Sequence, residues 1–112
     1  MLKKDVLRRK DDFNKIYRKG KSVGDRYVVL FYRINQLSYN RLAFLASKKV
    51  GNSVQRNRAR RLMKENYRFM KDSLKEGYDI IFIARNTING KKACDVEKSM
   101  NHAVARAKLH RG

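Results

Sequence analysis

Lys48-Lys49-Val50-Gly51-Asn52-Ser53-Val54-Gln55-Arg56-Asn57-Arg58-Ala59-Arg60-Arg61-Leu62-Met63-Lys64-Glu65-Asn66-Tyr67-Arg68-Phe69-Met70-Lys71 holds nine Lys or Arg residues and a single acid, Glu65. At about 100° per residue, Ala59, Leu62, Met63, Phe69 and Met70 share one arc of a helix. Arg56, Arg60, Arg61, Lys64, Arg68 and Lys71 share the other. One side is therefore expected to enter a core, and the other to present a nearly unbroken cationic wall. Gly51-Asn52-Ser53 supplies a turn and an N-cap, and Gln55 stands three places after Asn52, close to a capping-box arrangement. The helix is expected to end near Asp72–Gly77.

Strand signals flank this helix. Arg41 to Ser47 reads as a strand with Leu42, Phe44 and Ala46 on one face and Ala43, Leu45 and Ser47 on the other. Tyr78 to Ala84 is apolar on both faces, the mark of a central strand. Strand, basic helix and strand together have the length of a βαβ crossover. Further out, Tyr27 to Tyr32 is β-branched and aromatic, and the polar run 34–40 makes a hairpin-type connection. A first helix is expected from a cap at Asp11 or Asp12, with Phe13, Ile16 and Tyr17 on one face and Gly20 as its stop. A last helix over Asp95–Leu109 carries Val96, Met100, Ala103 and Ala107 as its inner stripe. Residues 1–10, with Lys3, Lys4, Arg8, Arg9 and Lys10, read as a basic and partly mobile arm. There is no internal repeat and no Pro-rich linker, so residues 1–112 are expected to form one α+β domain, a two-layer sandwich.

A chain of 112 residues has room for one modest core. Its formal net charge of +19 opposes folding by self-repulsion and calls for a polyanionic partner. The longest apolar runs are of strand length, far short of a spanning helix, and no apolar segment follows the charged amino terminus. A membrane partner is therefore not expected. Cys94 is the only cysteine, which excludes an internal disulfide and suits a reducing, cytoplasmic compartment. Catalytic constellations are missing too. The acids read as caps, turns or ion-pair partners, and His102 and His110 sit late in the last helix. Cys94 has no activating neighbour at a suitable spacing, and there is no Gly-rich phosphate loop. Asp11-Asp12 suits capping better than Mg²⁺. Any chemistry must come from a partner.

The cationic wall reads as a phosphate clamp in which arginines pair with phosphate oxygens, and Asn57 and Asn66 add neutral hydrogen bonds. Six to eight engaged phosphates would make affinity fall roughly as the −4 to −7 power of salt. Strand character at 41–47 leaves no helix before the basic one, against a helix-turn-helix DNA reader. Aromatics on a sheet suit unstacked single-stranded bases. RNA is the expected partner.

The order Lys48-Lys49-Val50-Gly51-Asn52-Ser53-Val54-Gln55-Arg56-Asn57-Arg58-Ala59-Arg60-Arg61 resembles the "RNR" motif of the bacterial ribonuclease P protein family. Asp12 to Val23 resembles that family's first helix and following turn, and Tyr78 to Arg85 its last strand. The resemblance implies an αβββαβα fold with a left-handed crossover at the basic helix. It also implies a catalytic RNA partner that cleaves precursor tRNA at its mature 5′ end with Mg²⁺ held mainly by that RNA. No covalent cofactor and no obligate protein partner are expected. By position, Lys48, Lys49, Arg56, Asn57, Arg58, Arg60, Arg61, Lys64 and Arg68 would face the catalytic RNA. Phe13, Tyr17, Phe31 and Ser47 would line a cleft for the 5′ leader. Val6, Ala43 and Asn86-Thr87 depart from the family's usual residues, which touches the arm's contacts and one strand's geometry. The alternative reading is a ribosomal or general RNA-binding protein with no enzymatic role.

Overall fold

A computed structural model describes residues 4–111. The elements run α1 (Lys10–Lys19), β1 (Lys21–Gly24), β2 (Val28–Ile34), β3 (Arg41–Leu45), α2 (Ser53–Met70), β4 (Tyr78–Ala84) and α3 (Ala93–Arg106), with short 3-10 turns after α2 and β4. The four strands form one sheet in the order β1-β2-β4-β3. β4 is thus interior, as its two apolar faces require, antiparallel to β2 and parallel to β3. The parallel pair is joined through α2, so the crossover carries the basic helix.

The sheet separates two apolar clusters. Leu30, Leu42, Ile80 and Phe82 point to the face covered by α2 and α3, where Ala59, Met63, Met70, Val96, Met100 and Ala103 meet them. Ala43 and Ile81, their neighbours along the same strands, point to the opposite face and pack with Leu7 and Ile16 of the α1 side. This is the alternation expected for β3. α1 covers only part of its face, and Phe31, Leu45 and Ile83 beside it stay half-buried. That uncovered strip of sheet is what positions a site.

Several local expectations are corrected. β1 is an additional strand that propensity does not reveal. Lys21-Ser22-Val23-Gly24 lies at the sheet edge with only Val23 partly buried, so it carries no alternating signal. Neither Asp11 nor Asp12 caps α1; Arg9 is its N-cap without a side-chain bond, and both acids lie in the first turn, where the helix dipole favours them. Gly20 ends α1 in extended rather than left-handed backbone. It is glycine because a Cβ there would stand 2.5 Å from the Ile16 carbonyl oxygen and 2.7 Å from that of Tyr32. The basic arm is pinned where it is described: Leu42 N–H donates to the Asp5 carbonyl, Leu7 N–H donates to that of Leu42, and Leu7 is buried. Residues 1–3 of the expected arm lie outside the described residues. α2 ends at Met70, and α3 runs slightly earlier than expected.

The start of α2 is as its sequence implies. Gln55 N–H donates to Asn52 Oδ1 and Asn52 N–H donates to Gln55 Oε1, each at 2.9 Å, completing the capping box. Such a cap contributes about 1 kcal/mol. Gly51, with φ +145°, leaves room for the returning Gln55 side chain, which a Cβ would meet at 1.8 Å.

Candidate RNA-binding faces

α2 turns its cationic residues away from the sheet because Ala59, Met63, Asn66 and Met70 form its buried line. The centre of that line lies about 30° from the centre expected from apolar residues alone. Two expectations fail for this reason. Phe69 sits at the far flank and is 81 % exposed instead of core. Asn66 is buried and donates through Nδ2 to the Ala93 carbonyl oxygen at 3.2 Å, tying α2 to the start of α3, so it offers nothing to a phosphate.

The remaining residues divide into free and committed cations. Arg61 and Lys64 are exposed on α2, and Lys48 and Lys49 are exposed on the turn before it; none makes an ion pair among the described residues. Arg68 is exposed and pairs with Glu65, the helix's one acid, at 2.9 Å. Arg60 is half-buried, donating to Asn57 Oδ1 and, at 3.5 Å, to the Ala46 carbonyl. Asn57 is exposed but its carbonyl oxygen is taken by that bond. Arg58 donates to the Lys91 carbonyl, and Asn89 Nδ2 donates to that of Val50, so the loop after β4 brackets the first turn of α2. Arg56 is half-buried beside Ser53, with its Nε buried and unpartnered.

The second face is the half-covered side of the sheet. Phe13 and Tyr17, one turn apart on α1, have ring centroids 6.4 Å apart. Tyr17 meets Phe31 of β2 edge-on at 5.0 Å. The three expected cleft aromatics therefore form one continuous row. Tyr17 remains 41 % exposed, and partial burial pushes its phenol above its ordinary pKa, so it stays a neutral donor. Ser47 is exposed just past β3, between that strand and the basic turn, its Oγ accepting from Lys49 N–H at 3.2 Å.

The two faces meet across β3. A groove of about 590 Å³ is lined on one side by Leu7, Phe13 and Leu45 and on the other by Arg60, Arg61, Lys64 and Arg68. Tyr67 lies in its floor beneath the cations, and burial raises its pKa to about 12. Phe13 and its apolar neighbours thus stand opposite guanidinium and ammonium groups across one edge strand, an arrangement suited to a strand with bases on one side and phosphates on the other.

Among the described residues no group of three or more His, Cys, Asp or Glu could hold a metal ion. Cys94 is exposed and unpaired. No helix among the described residues is long and apolar enough to cross a membrane.

Comparisons with known proteins bear on the family of this chain. A family model described as Ribonuclease P matches residues 1–108. The "Ribonuclease P protein component" of Clostridium botulinum (strain Loch Maree / Type A3) is 42 % identical over 110 residues, covering 97 % of this chain and 99 % of that one. The protein of the same description from Alkaliphilus metalliredigens is 38 % identical over 109 residues, covering 97 % and 98 %. Among solved structures, the RNase P protein of Staphylococcus aureus superposes with a TM-score of 0.88 at 33 % identity, over 97 % of this chain and 100 % of that one. The RNase P protein from Thermotoga maritima gives 0.83 at 28 % identity, over 92 % and 97 %. Sequence, fold and charge distribution point the same way, and the chain belongs to the ribonuclease P protein family.

Proposed function

We propose that this chain docks on the catalytic RNA of ribonuclease P through α2 and the turn before it, and holds the 5′ leader of precursor tRNA along the Phe13–Tyr17–Phe31 row. Membership of the family already makes it a subunit of a tRNA-processing ribonucleoprotein nuclease and implies association with the ribonuclease P RNA. The observation that carries the finer reading is the groove across β3, which sets the cationic face of α2 against Phe13, the near end of the aromatic row. Each face alone would bind RNA without distinction. Together they give one surface for a structured polyanion and another for unstacked bases.

The protein's part is electrostatic and positional. Its excess positive charge lowers the repulsion between two RNAs, and the leader contacts add affinity for the precursor alone. Mg²⁺, held mainly by the catalytic RNA, would supply the hydrolytic chemistry; this chain's residues bind and orient. The catalytic RNA should then cleave precursor tRNA at Mg²⁺ concentrations where it is nearly inactive by itself. Single-turnover cleavage at low Mg²⁺, with and without the protein, measures this. Equal rates in both would contradict the proposal.

A further inference from the structure

α1 carries two of the three aromatic side chains of the leader row, yet it is lightly secured. It has ten residues, no side-chain N-cap bond and one fully buried side chain, Ile16. A helix this short does not persist by itself, so its docking fixes where Phe13 and Tyr17 stand. At about 100° per residue, Phe13 and Tyr17 lie to one side of Ile16 and Asp12 to the other. Phe13 packs on the same cluster as Ile16, and Tyr17 meets Phe31, so apolar contacts hold one flank of the helix and a tether on the far flank resists rocking about Ile16.

The structure contains such a tether. Asp79 on β4 is buried, and its carboxylate accepts from Arg41 Nε and Nη2, both at 2.7 Å, and from Asn35 Nδ2 at 3.0 Å. This two-pronged pairing fixes the plane of the guanidinium. The remaining nitrogen, Nη1, faces Asp12 Oδ2 on α1 at 3.4 Å. The Arg41 and Asp12 side chains are only 23 % and 19 % exposed, so this is not a loose surface pair. Arg33 and Lys15 also line the polar hollow of about 290 Å³ beside the pair, and they leave it cationic overall.

We infer that Asp12, held through Arg41 by the buried carboxylate of Asp79, is a positioning residue for leader binding: it sets the seat of α1, and with it the spacing of the Phe13–Tyr17–Phe31 row. The inference rests on the leader reading of that row.

Simple electrostatics and positioning predict opposite signs for one substitution. Asp12→Asn removes a negative charge from a surface near RNA, which by charge alone tightens binding of every RNA. If Asp12 positions the row, the same variant binds leader-bearing precursor about fivefold more weakly. The experiment uses the holoenzyme reconstituted with the catalytic RNA and measures Kd for precursor tRNA and for the same tRNA without its leader. The expected result is a loss confined to the precursor, recovered by Asp12→Glu. Arg41 and Asp79 remain paired in both variants, so the sheet keeps its buried ion pair. Unchanged or tighter precursor binding by Asp12→Asn overturns the inference, as does an equal loss for both RNAs. A wild-type holoenzyme that does not distinguish the two RNAs instead overturns the leader reading itself.

Discussion

Replacing Arg61 and Lys64 together by alanine is expected to weaken binding to the ribonuclease P RNA and to lower the slope of log affinity against log salt by roughly 1.5. Each cation that neutralises a phosphate releases condensed counterions, and two such contacts account for a change of that size. These two side chains are the right pair because both are exposed on α2 and neither makes an ion pair among the described residues. Their truncation removes charge and little else. Arg60 is a poorer probe, since its guanidinium donates to Asn57 and to the Ala46 carbonyl, and its loss would disturb the turn as well. Titration of fluorescently labelled catalytic RNA across several salt concentrations gives the slope. A double variant with the wild-type slope would show that α2 is not the docking wall.

Phe31→Ala should act on the other face and on a different RNA. Stacking of a base on an aromatic ring contributes about 1–3 kcal/mol, and Phe31 also supports Tyr17 through their edge-on contact. The variant holoenzyme should lose affinity for leader-bearing precursor by a factor within that range while its affinity for mature tRNA stays close to wild type. Phe31 is half-buried, so truncation also costs some folding stability. The comparison with mature tRNA removes that general effect. Equal losses for the two RNAs would make Phe31 a packing residue and nothing more.

The legible parts of this chain are those where one physical signal dominates. β4 is apolar on both faces and is interior; the Asn52–Gln55 capping box is written in two residues and is present; the inner stripe of α3 is buried. The parts that were not legible involve competition between signals. β1 pairs through its backbone and shows almost no apolar pattern. On α2, hydrophobicity places Phe69 inside and Asn66 outside, whereas the structure has the reverse. Tertiary contact with Ala93 at the start of α3 gives the Asn66 amide a partner, and the helix turns to bury it. Asp12 has the composition of a cap and the position of an ion-pair partner, and only the fold brings Arg41 within its reach.

The candidate site divides similarly. The cationic wall follows from spacing on one helix, so its sign and side are readable without coordinates. The aromatic row joins residues on two elements, and periodicity alone assigns Phe13 and Tyr17 to a core. Resemblance to the family placed them in a cleft, and the structure shows them adjacent, with Tyr17 substantially exposed. What no pattern in the sequence shows is that Phe13, at the near end of the row, and the cations of α2 open onto one groove, because that depends on β3 being an edge strand.

The separation of the two faces is the central claim, and proximity mapping tests it most directly. A hydroxyl-radical probe attached to a single cysteine, introduced at Arg61 or at Tyr17 after Cys94→Ser removes the native exposed thiol, would be placed in the holoenzyme bound to precursor tRNA. The probe at position 61 should cut the catalytic RNA, and the probe at position 17 should cut the 5′ leader. Leader cleavage from position 61 with none from position 17, or no leader cleavage from either, would contradict the account.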